Sequence, residues 1–223
     1  MALKLYANLV SQPSRAVYWL LKVKNVDFEH VRMDLGSPVY QSPEFLALNP
    51  SGLVPVIKDD DFSVYESNAI LTYLADKFDW EELYPKDLKA RAKVNQYLHW
   101  HHTGARNFTL QVVRPVFRKA LGKASPEDLV AVEKAPEVIE KHTSIVEKML
   151  VNDYVSETVQ PTVADYALYC EYDQLEALGL LDLGKFPKTA AWIERMKKIP
   201  FHDEVRLEMN GTFAAIGLAK KAP

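Results

Sequence analysis

Two dipeptides in the first third of the sequence carry the polar groups that a small peptide-like ligand needs. Val54-Pro55 lies inside an extended apolar run, and Glu66-Ser67 opens a predicted helix. An X-Pro bond tolerates the cis form, which turns the backbone N–H and C=O of Val54 outward, toward an extended peptide. Free N–H groups at a helix start, with the Ser67 hydroxyl, suit a carboxylate, and Glu66 can accept from an ammonium group. This spacing predicts a ligand with a peptide backbone, a carboxylate and an amino group.

The same residues also have a purely structural interpretation. An X-Pro step in a strand is most often an edge or a turn, and Glu-Ser before an apolar run is most often an ordinary helix start. The two dipeptides leave both interpretations open, so the elements that hold them have to be considered.

The first eighty residues alternate strand and helix signals. LKLYA at 3–7 predicts a strand, and residues 11–25 have helical spacing with Ser11 as the N-cap and Pro13 in the first turn. A second strand, a hairpin around residues 59–61 and a helix at 67–78 follow. A βαβ start requires parallel strands and the hairpin adds antiparallel ones. We therefore predict an α/β thioredoxin-like domain, βαβ-ββα, with a mixed sheet.

From residue 87 onward the patterns are helical. One long predicted helix is interrupted near Gly104 or ends near Pro115. A Ser125 cap opens the next helical segment, and Thr162 with Asp165 forms a predicted capping box, which we interpret as structural. We predict an N-terminal domain at 1–79, a linker at 80–86 and an all-α domain at 87–223.

Composition excludes several classes of function. The 223 residues are 48% hydrophobic and 26% charged with a net charge of −3, which fits a globular protein and offers no basic surface for nucleic acid. No apolar run approaches 18 residues and the first residues do not form a leader pattern, so we expect neither membrane insertion nor export. A cytoplasmic location is therefore expected.

Metal and disulfide chemistry are also not expected. The single cysteine, Cys170, rules out an internal disulfide and gives no zinc-ligand cluster. His99, His101 and His102 are close in sequence, but they point to different faces of a helix and lack an acidic partner at ligand spacing.

Several motifs in the correct order resemble a known family. The stretch LYANLVSQPSRAVYW resembles the cytosolic glutathione transferases, most of all the serine-type theta class. ESNAILTYL is similar to the family's γ-glutamyl motif, NPSGLVPVIKD to its cis-proline strand, YPKDLKARAKVNQYLHWHH to the start of its helical domain, and PTVADYALY to its capping box. The resemblance covers nearly the whole chain and implies detoxifying transfer of the glutathione thiolate to small hydrophobic electrophiles.

The resemblance implies that Ser11 is the catalytic residue. Its O–H would point at the sulfur, and the N–H groups of the following turn would add positive potential. From the sequence alone, Ser11 could equally cap the helix by accepting from a backbone N–H. Ser14 is an alternative donor, and Tyr6 ranks third because strand alternation can turn it into the core.

The resemblance also assigns the two binding sites. Departures from the theta pattern occur near the glycine end of glutathione, where a neutral Gln41 would be a weaker donor than a charged side chain. Modest affinity for glutathione is therefore expected. The glutathione-binding positions are Gln12, Tyr40, Gln41, Leu53, Val54, Pro55, Glu66 and Ser67.

The electrophile site is expected above Ser11. It would include Val10, Ser14, His102 and Arg106, of which the last two are four residues apart and predicted to share one helix face. A solvated or salt-bridged arginine and a packed histidine remain the alternatives for Arg106 and His102. The tail from 201 to 218 is apolar enough to cover the cleft.

Two other functions remain open from the sequence. A non-catalytic interaction module of the elongation-factor gamma-subunit type has the same fold but can lack the thiol-activating residues. A glutathione-dependent reductase would need a cysteine near position 11, whereas the only cysteine is Cys170. Family resemblance further implies a homodimer, with glutathione as co-substrate and no metal cofactor.

Overall fold

Four strands form one mixed sheet at the start of the chain. The structure, a computed structural model, describes residues 3–218. The strand order is β2-β1-β3-β4, with β1 parallel to β2 and the other two pairings antiparallel. The predicted mixed sheet is confirmed. The strands are β1 (Leu3–Ala7), β2 (Phe28–Arg32), β3 (Val56–Asp59) and β4 (Phe62–Tyr65).

Helices make up the remaining regular structure of residues 3–218, and after β4 this part of the chain contains no further strand. No helix in residues 3–218 combines the length and apolar character that crossing a membrane requires. The predicted all-α second half is confirmed, although residues 219–223 of the predicted domain lie outside the described residues. The α-helices are α1 (Gln12–Val23), α2 (Pro43–Leu48), α3 (Ser67–Lys77), α4 (Leu88–Thr103), α5 (Arg114–Ala120), α6 (Pro126–Glu133), α7 (Ala135–Met149), α8 (Val163–Ala177), α9 (Pro187–Met196) and α10 (His202–Ala215).

Alternation along β1 separates two cores. Leu3, Leu5 and Ala7 are buried in the large core that α1, α3 and α8 share. Tyr6 points to the opposite face, where its ring lies 6.1 Å from the ring of Phe45 in a small second core. Tyr6 therefore packs beneath α2.

The long predicted helix breaks at Gly104, which was one of the two positions that the sequence offered for its end. Gly104 has φ −105° and ψ −97°, and a wider π-helical turn, Phe108–Val113, follows it. Pro115 sits in the first turn of α5, where its missing N–H removes no hydrogen bond, so it begins a helix instead of ending one. The chain direction thus changes between α4 and α5.

Helix α8 is the central support of the second half. Its capping box is confirmed: the Asp165 carboxylate accepts from the Thr162 backbone N–H at 2.8 Å. The same buried carboxylate also accepts from the Val155 N–H at 3.1 Å and the Trp192 Nε1–H at 3.0 Å. One cap therefore fixes the start of α8 and ties it to the preceding loop and to α9.

A fully buried ion pair joins α1 to α8. The Arg15 guanidinium donates to the Asp173 carboxylate at 2.6 and 3.1 Å, and neither side chain is accessible to solvent. Its other N–H groups donate to the carbonyls of Leu9, Val10 and Cys170 at 2.8–3.1 Å. Although burial opposes a charge, Asp173 raises the pKa of Arg15 above its ordinary value. The pair anchors the loop between β1 and α1.

Asp173→Asn is expected to lower the free energy of unfolding by about 3–5 kcal/mol, because it leaves the buried guanidinium without a counter-charge. Urea denaturation measures this loss. The matched control is Lys185→Gln, which breaks the exposed Lys185–Glu140 pair and should cost less than about 1 kcal/mol. Equal, small losses in both variants would contradict the role given to Asp173.

Candidate functional site

The two dipeptides found in the sequence meet at one edge of the sheet. β3 and β4 pair with Val56 opposite Tyr65, and continuing that register places Val54-Pro55 beside Glu66-Ser67. The Val54–Pro55 peptide bond is cis, as predicted. Val54 precedes the paired part of β3, and α3 begins at Ser67. Peptide groups and a helix N-terminus therefore lie side by side.

Ser11 lies at the same edge, just beyond the end of β1. A tight turn holds it there: the Ser11 N–H donates to the Asn8 carbonyl at 3.0 Å. Buried Asn8 fixes the turn further, accepting from the Val10 N–H at 3.0 Å and donating to the Met33 carbonyl at 2.9 Å. Ser11 is the N-cap of α1 by position, but its hydroxyl makes no capping hydrogen bond. The hydroxyl is half-buried and available to a ligand.

A cleft of about 570 Å³ opens above Ser11. Its walls come from the sheet edge, the loop before the 3₁₀ turn Pro38–Gln41, the segment around α5, and α10. Phe213 of α10 lies in its lining, so the tail contributes to the cleft as its apolar pattern suggested. Eight of the sequence-predicted site residues line the cleft: Val10, Ser11, Gln12, Tyr40, Gln41, Leu53, Val54 and Arg106.

A buried carboxylate organises the floor of the cleft. Glu171 of α8 is fully buried and accepts from the Thr109 hydroxyl at 2.6 Å and the Gln174 amide at 2.9 Å. It also accepts from Arg106 at 3.2 Å and Gln12 at 3.3 Å. Gln12, which follows Ser11, additionally donates to the Thr109 hydroxyl. This network positions Gln12 and Arg106 from the helical half of the chain.

Sequence reasoning missed the residues of α5, and Val113 just before it, that line the cleft. Val113, Arg114, Phe117 and Arg118 all face it. The i, i+4 spacing of 113 with 117 and of 114 with 118 is visible in the sequence, but nothing there shows what that face meets. The position of α5 depends on the break at Gly104.

Two predicted electrophile-site residues lie elsewhere. Ser14 is fully buried and does not line the cleft, because it follows the helix turn inward from Ser11. His102 is exposed and also outside the lining, and because α4 ends at Thr103, one continuous helix does not carry both His102 and Arg106. The placement of Ser14 was wrong because its side chain is fully buried, whereas the role of His102 stays a prediction.

The neighbour of His102, His101, takes the inward position. His101 is buried, with Nε2 3.6 Å from Glu171 Oε1, and Nδ1 is 3.0 Å from the Tyr97 hydroxyl. Partial desolvation lowers the pKa of His102, as do the charges of His101, Arg106 and His99, while the Glu66 carboxylate acts in the opposite direction. His102 is therefore within electrostatic reach of both Glu66 and Arg106.

Pro55, Glu66 and Ser67 do not line the main cleft but extend it along the sheet edge. Glu66 is exposed and has φ +69°, in a region that L-residues rarely adopt. Such strain is concentrated at sites where a side chain or backbone has to be aimed at a ligand. The geometry is consistent with a carboxylate presented at the N-terminus of α3.

Residues 3–218 contain no cluster of three or more His, Cys, Asp or Glu side chains that could hold a metal ion. Burial raises the pKa of the Cys170 thiol well above its ordinary value, and Asp173 adds to the effect. Cys170 thus lies in the core, apart from the residues that line the cleft.

Replacing Gly52 is expected to destabilise the wall of the cleft that carries Tyr40 and Gln41. It has φ +62°, and an added Cβ would lie 2.9 Å from the Tyr40 carbonyl oxygen and 3.0 Å from Gln41 Nε2. Gly52→Ala should therefore lower the free energy of unfolding by more than the matched control Gly122→Ala. Gly122 has φ +68° with open space around it, so that variant has only the backbone cost of about 1 kcal/mol. Denaturant unfolding compares the two, and equal losses would show that the close approach does not matter.

Comparisons with known proteins agree on one family. The model of the glutathione S-transferase N-terminal domain matches residues 1–76, and the model of the C-terminal domain matches residues 109–200. Glutathione S-transferase T1 of Arabidopsis thaliana is 38% identical over 216 residues, which cover 92% of this chain and 87% of that protein. Human glutathione S-transferase theta-2B is 36% identical over 204 residues, 88% of this chain and 81% of that protein.

Solved structures give the same result. The crystal structure of human glutathione transferase theta-2, in complex with glutathione and an unknown ligand, superposes with a TM-score of 0.84 at 31% identity. The match covers 99% of this chain and 94% of that one. The chain therefore belongs to the glutathione S-transferase family and is similar to the theta-class members of that family.

Proposed function

We propose that this glutathione transferase uses the Ser11 hydroxyl to hold bound glutathione as a thiolate and transfers it to a small hydrophobic electrophile. The observation that carries the proposal is the free Ser11 hydroxyl at the floor of the cleft, beside the cis Val54–Pro55 step. The sulfur forms a bond to the electrophilic carbon as halide or sulfate leaves with its electron pair, or as an activated double bond accepts the pair.

The protein's part in this reaction is to ionise the thiol near neutral pH. A free thiol has a pKa of about 8.5, so lowering it by about two units requires roughly 2.7 kcal/mol of preferential stabilisation of the anion. The Ser11 O–H supplies one charge-assisted hydrogen bond, and the first turn of α1 adds a positive potential. Ser11 does this as a neutral donor.

Glutathione would lie along the sheet edge. Val54 pairs with its peptide backbone, Glu66 accepts from its ammonium group, and Ser67 with the start of α3 binds the γ-glutamyl carboxylate. Pro55, Leu53 and Tyr40 shape the same wall, and Gln12 supports Ser11 from the floor. Gln41 is the donor for the glycine carboxylate. The electrophile would lie across the cleft against Val10 and Arg106.

The enzyme interpretation is favoured over a non-catalytic elongation-factor module. The relatives named above are transferases, and the free Ser11 hydroxyl is the group that such a module can lack. Retention on immobilised glutathione followed by a halide-release assay separates the two. A homodimer and a cytoplasmic location, both typical of the family, belong to the same proposal.

Ser11→Ala is expected to lower glutathione-dependent kcat/KM at least tenfold at neutral pH. The loss of kcat/KM should be smaller at alkaline pH, where the thiol ionises without a hydrogen bond from Ser11. The pH profile of kcat/KM is therefore expected to move to higher pH. Rate profiles and the ultraviolet absorbance of the bound thiolate measure both effects, and circular dichroism checks the fold. The control is Ser14→Ala, which should stay near wild-type activity because Ser14 is buried away from the cleft. A folded, fully active Ser11→Ala protein with an inactive Ser14→Ala protein would move the role to Ser14.

Glu66→Gln is expected to raise the KM for glutathione about tenfold with little change in kcat. The substitution keeps the shape but replaces a charge-assisted hydrogen bond to the ammonium group with a neutral one. Steady-state kinetics with varied glutathione give both constants. Glu133→Gln, an exposed acid at the end of α6, is the control for the change in net charge. An unchanged KM in Glu66→Gln would remove Glu66 from the binding site.

A further inference from the structure

One wall of the cleft has an apolar row beside a cationic row. The apolar row is Val113 and Phe117, four residues apart, and the cationic row includes Arg114 and Arg118 at the same spacing. Phe213 of α10 adds to the apolar lining. A ligand on this wall would contact hydrocarbon on one side and guanidinium groups on the other.

The cationic row carries a charge that the described residues do not fully balance. Arg106 pairs with the buried Glu171 at 3.2 Å, and Arg118 pairs with Asp128 at 3.0 Å. Arg114 has no ion pair or hydrogen bond from its side chain to any residue in 3–218, and no Asp or Glu of that range lines the cleft. Partial desolvation lowers the pKa of Arg114, and the neighbouring Arg106 and Arg118 lower it further, while the buried Glu171 acts in the opposite direction. Arg106, Arg114 and Arg118 all line this cleft, and Arg114 is exposed in it without a counter-ion of its own among the described residues.

We propose that Arg114 is a specificity-determining residue that binds a carboxylate on the electrophile, while the apolar body of that electrophile packs on Phe117 and Phe213. This inference rests on the proposed transferase function and adds a substrate class to it. An oxyanion beside Arg114 would both pair with the guanidinium and relieve the repulsion within the row. A planar carboxylate fits the fork of the guanidinium group in a bidentate manner.

Glutathione itself carries two carboxylates, so the wall could also serve the co-substrate. The proposed glutathione residues, however, all belong to the N-terminal sheet domain, whereas Arg114 lies on α5 of the helical half. A site for the electrophile and a site for glutathione would alter different kinetic constants. A site for the electrophile alters discrimination between electrophiles, and a site for glutathione alters the KM for glutathione with every electrophile.

The test uses two benzylic bromides that differ only in charge, 4-(bromomethyl)benzoate and 4-(bromomethyl)benzamide. In both, the thiolate sulfur forms the C–S bond, bromide leaves with its electron pair, and the thiol proton goes to solvent. Arg114→Gln is expected to lower kcat/KM for the benzoate about tenfold and to change that for the amide less than twofold. Arg114→Lys, which keeps the charge, should recover most of the loss.

The matched control is Lys119→Gln. Lys119 is exposed on the same helix and outside the cleft lining, so this variant has the same change in net charge without touching the wall. It should leave the benzoate-to-amide ratio unchanged. Equal losses for both bromides in Arg114→Gln, or a raised KM for glutathione with both, would overturn the proposal.

A binding measurement keeps this inference separate from the transferase proposal. Calorimetry with the two products, S-(4-carboxybenzyl)glutathione and S-(4-carbamoylbenzyl)glutathione, needs no turnover. Arg114→Gln should weaken binding of the carboxyl product about tenfold and leave the carbamoyl product within twofold. If the wild-type protein binds both products but converts neither bromide, the transferase proposal fails. The ratio of the affinities for the two products, compared between wild-type and Arg114→Gln proteins, still decides the role of Arg114. If Arg114→Gln weakened the binding of both products equally, the proposed role of Arg114 would be overturned.

Discussion

The buried pair between Arg15 and Asp173 is the interaction on which the site depends. The Arg15 guanidinium donates from all of its N–H groups. It pairs with the Asp173 carboxylate of α8 and holds the carbonyls of Leu9 and Val10, the two residues that precede Ser11. Removing either charge leaves the other unpaired in the core, which is far more costly than losing a surface pair. The Ser11 hydroxyl is therefore carried by a loop that is fixed from the helical half of the chain.

Helix α8 supplies a second fixed point a few residues away. Glu171 collects Thr109, Gln174, Arg106 and Gln12 into one hydrogen-bonded network. A fully desolvated carboxylate is tolerated because several donors satisfy it. The two carboxylates of α8 thus hold two parts of the cleft: Asp173, through Arg15, holds the loop that carries Ser11, and Glu171 holds Gln12 and Arg106.

The errors of sequence reasoning have one physical origin. His102 and Arg106 share a face only if the helix continues, and the backbone at Gly104 leaves the helical region before Arg106 is reached. Ser14 was placed by its distance from Ser11 along the chain, but the first turn of α1 points it into the core. Each case needed the direction of a side chain, which depends on packing between elements far apart in sequence.

The sequence by itself determined the elements and the motifs, because periodicity, caps and the X-Pro step are local properties that neighbouring residues set. From these it was possible to predict the mixed sheet, the helical second half, the cis step and the sheet-edge candidates around Ser11, Val54 and Glu66. Tertiary structure alone decided which groups share the cleft: the floor around Glu171 and the arginine wall of α5. Those groups meet through contacts between residues up to about 160 positions apart, such as Gln12 with Glu171, which no local pattern encodes.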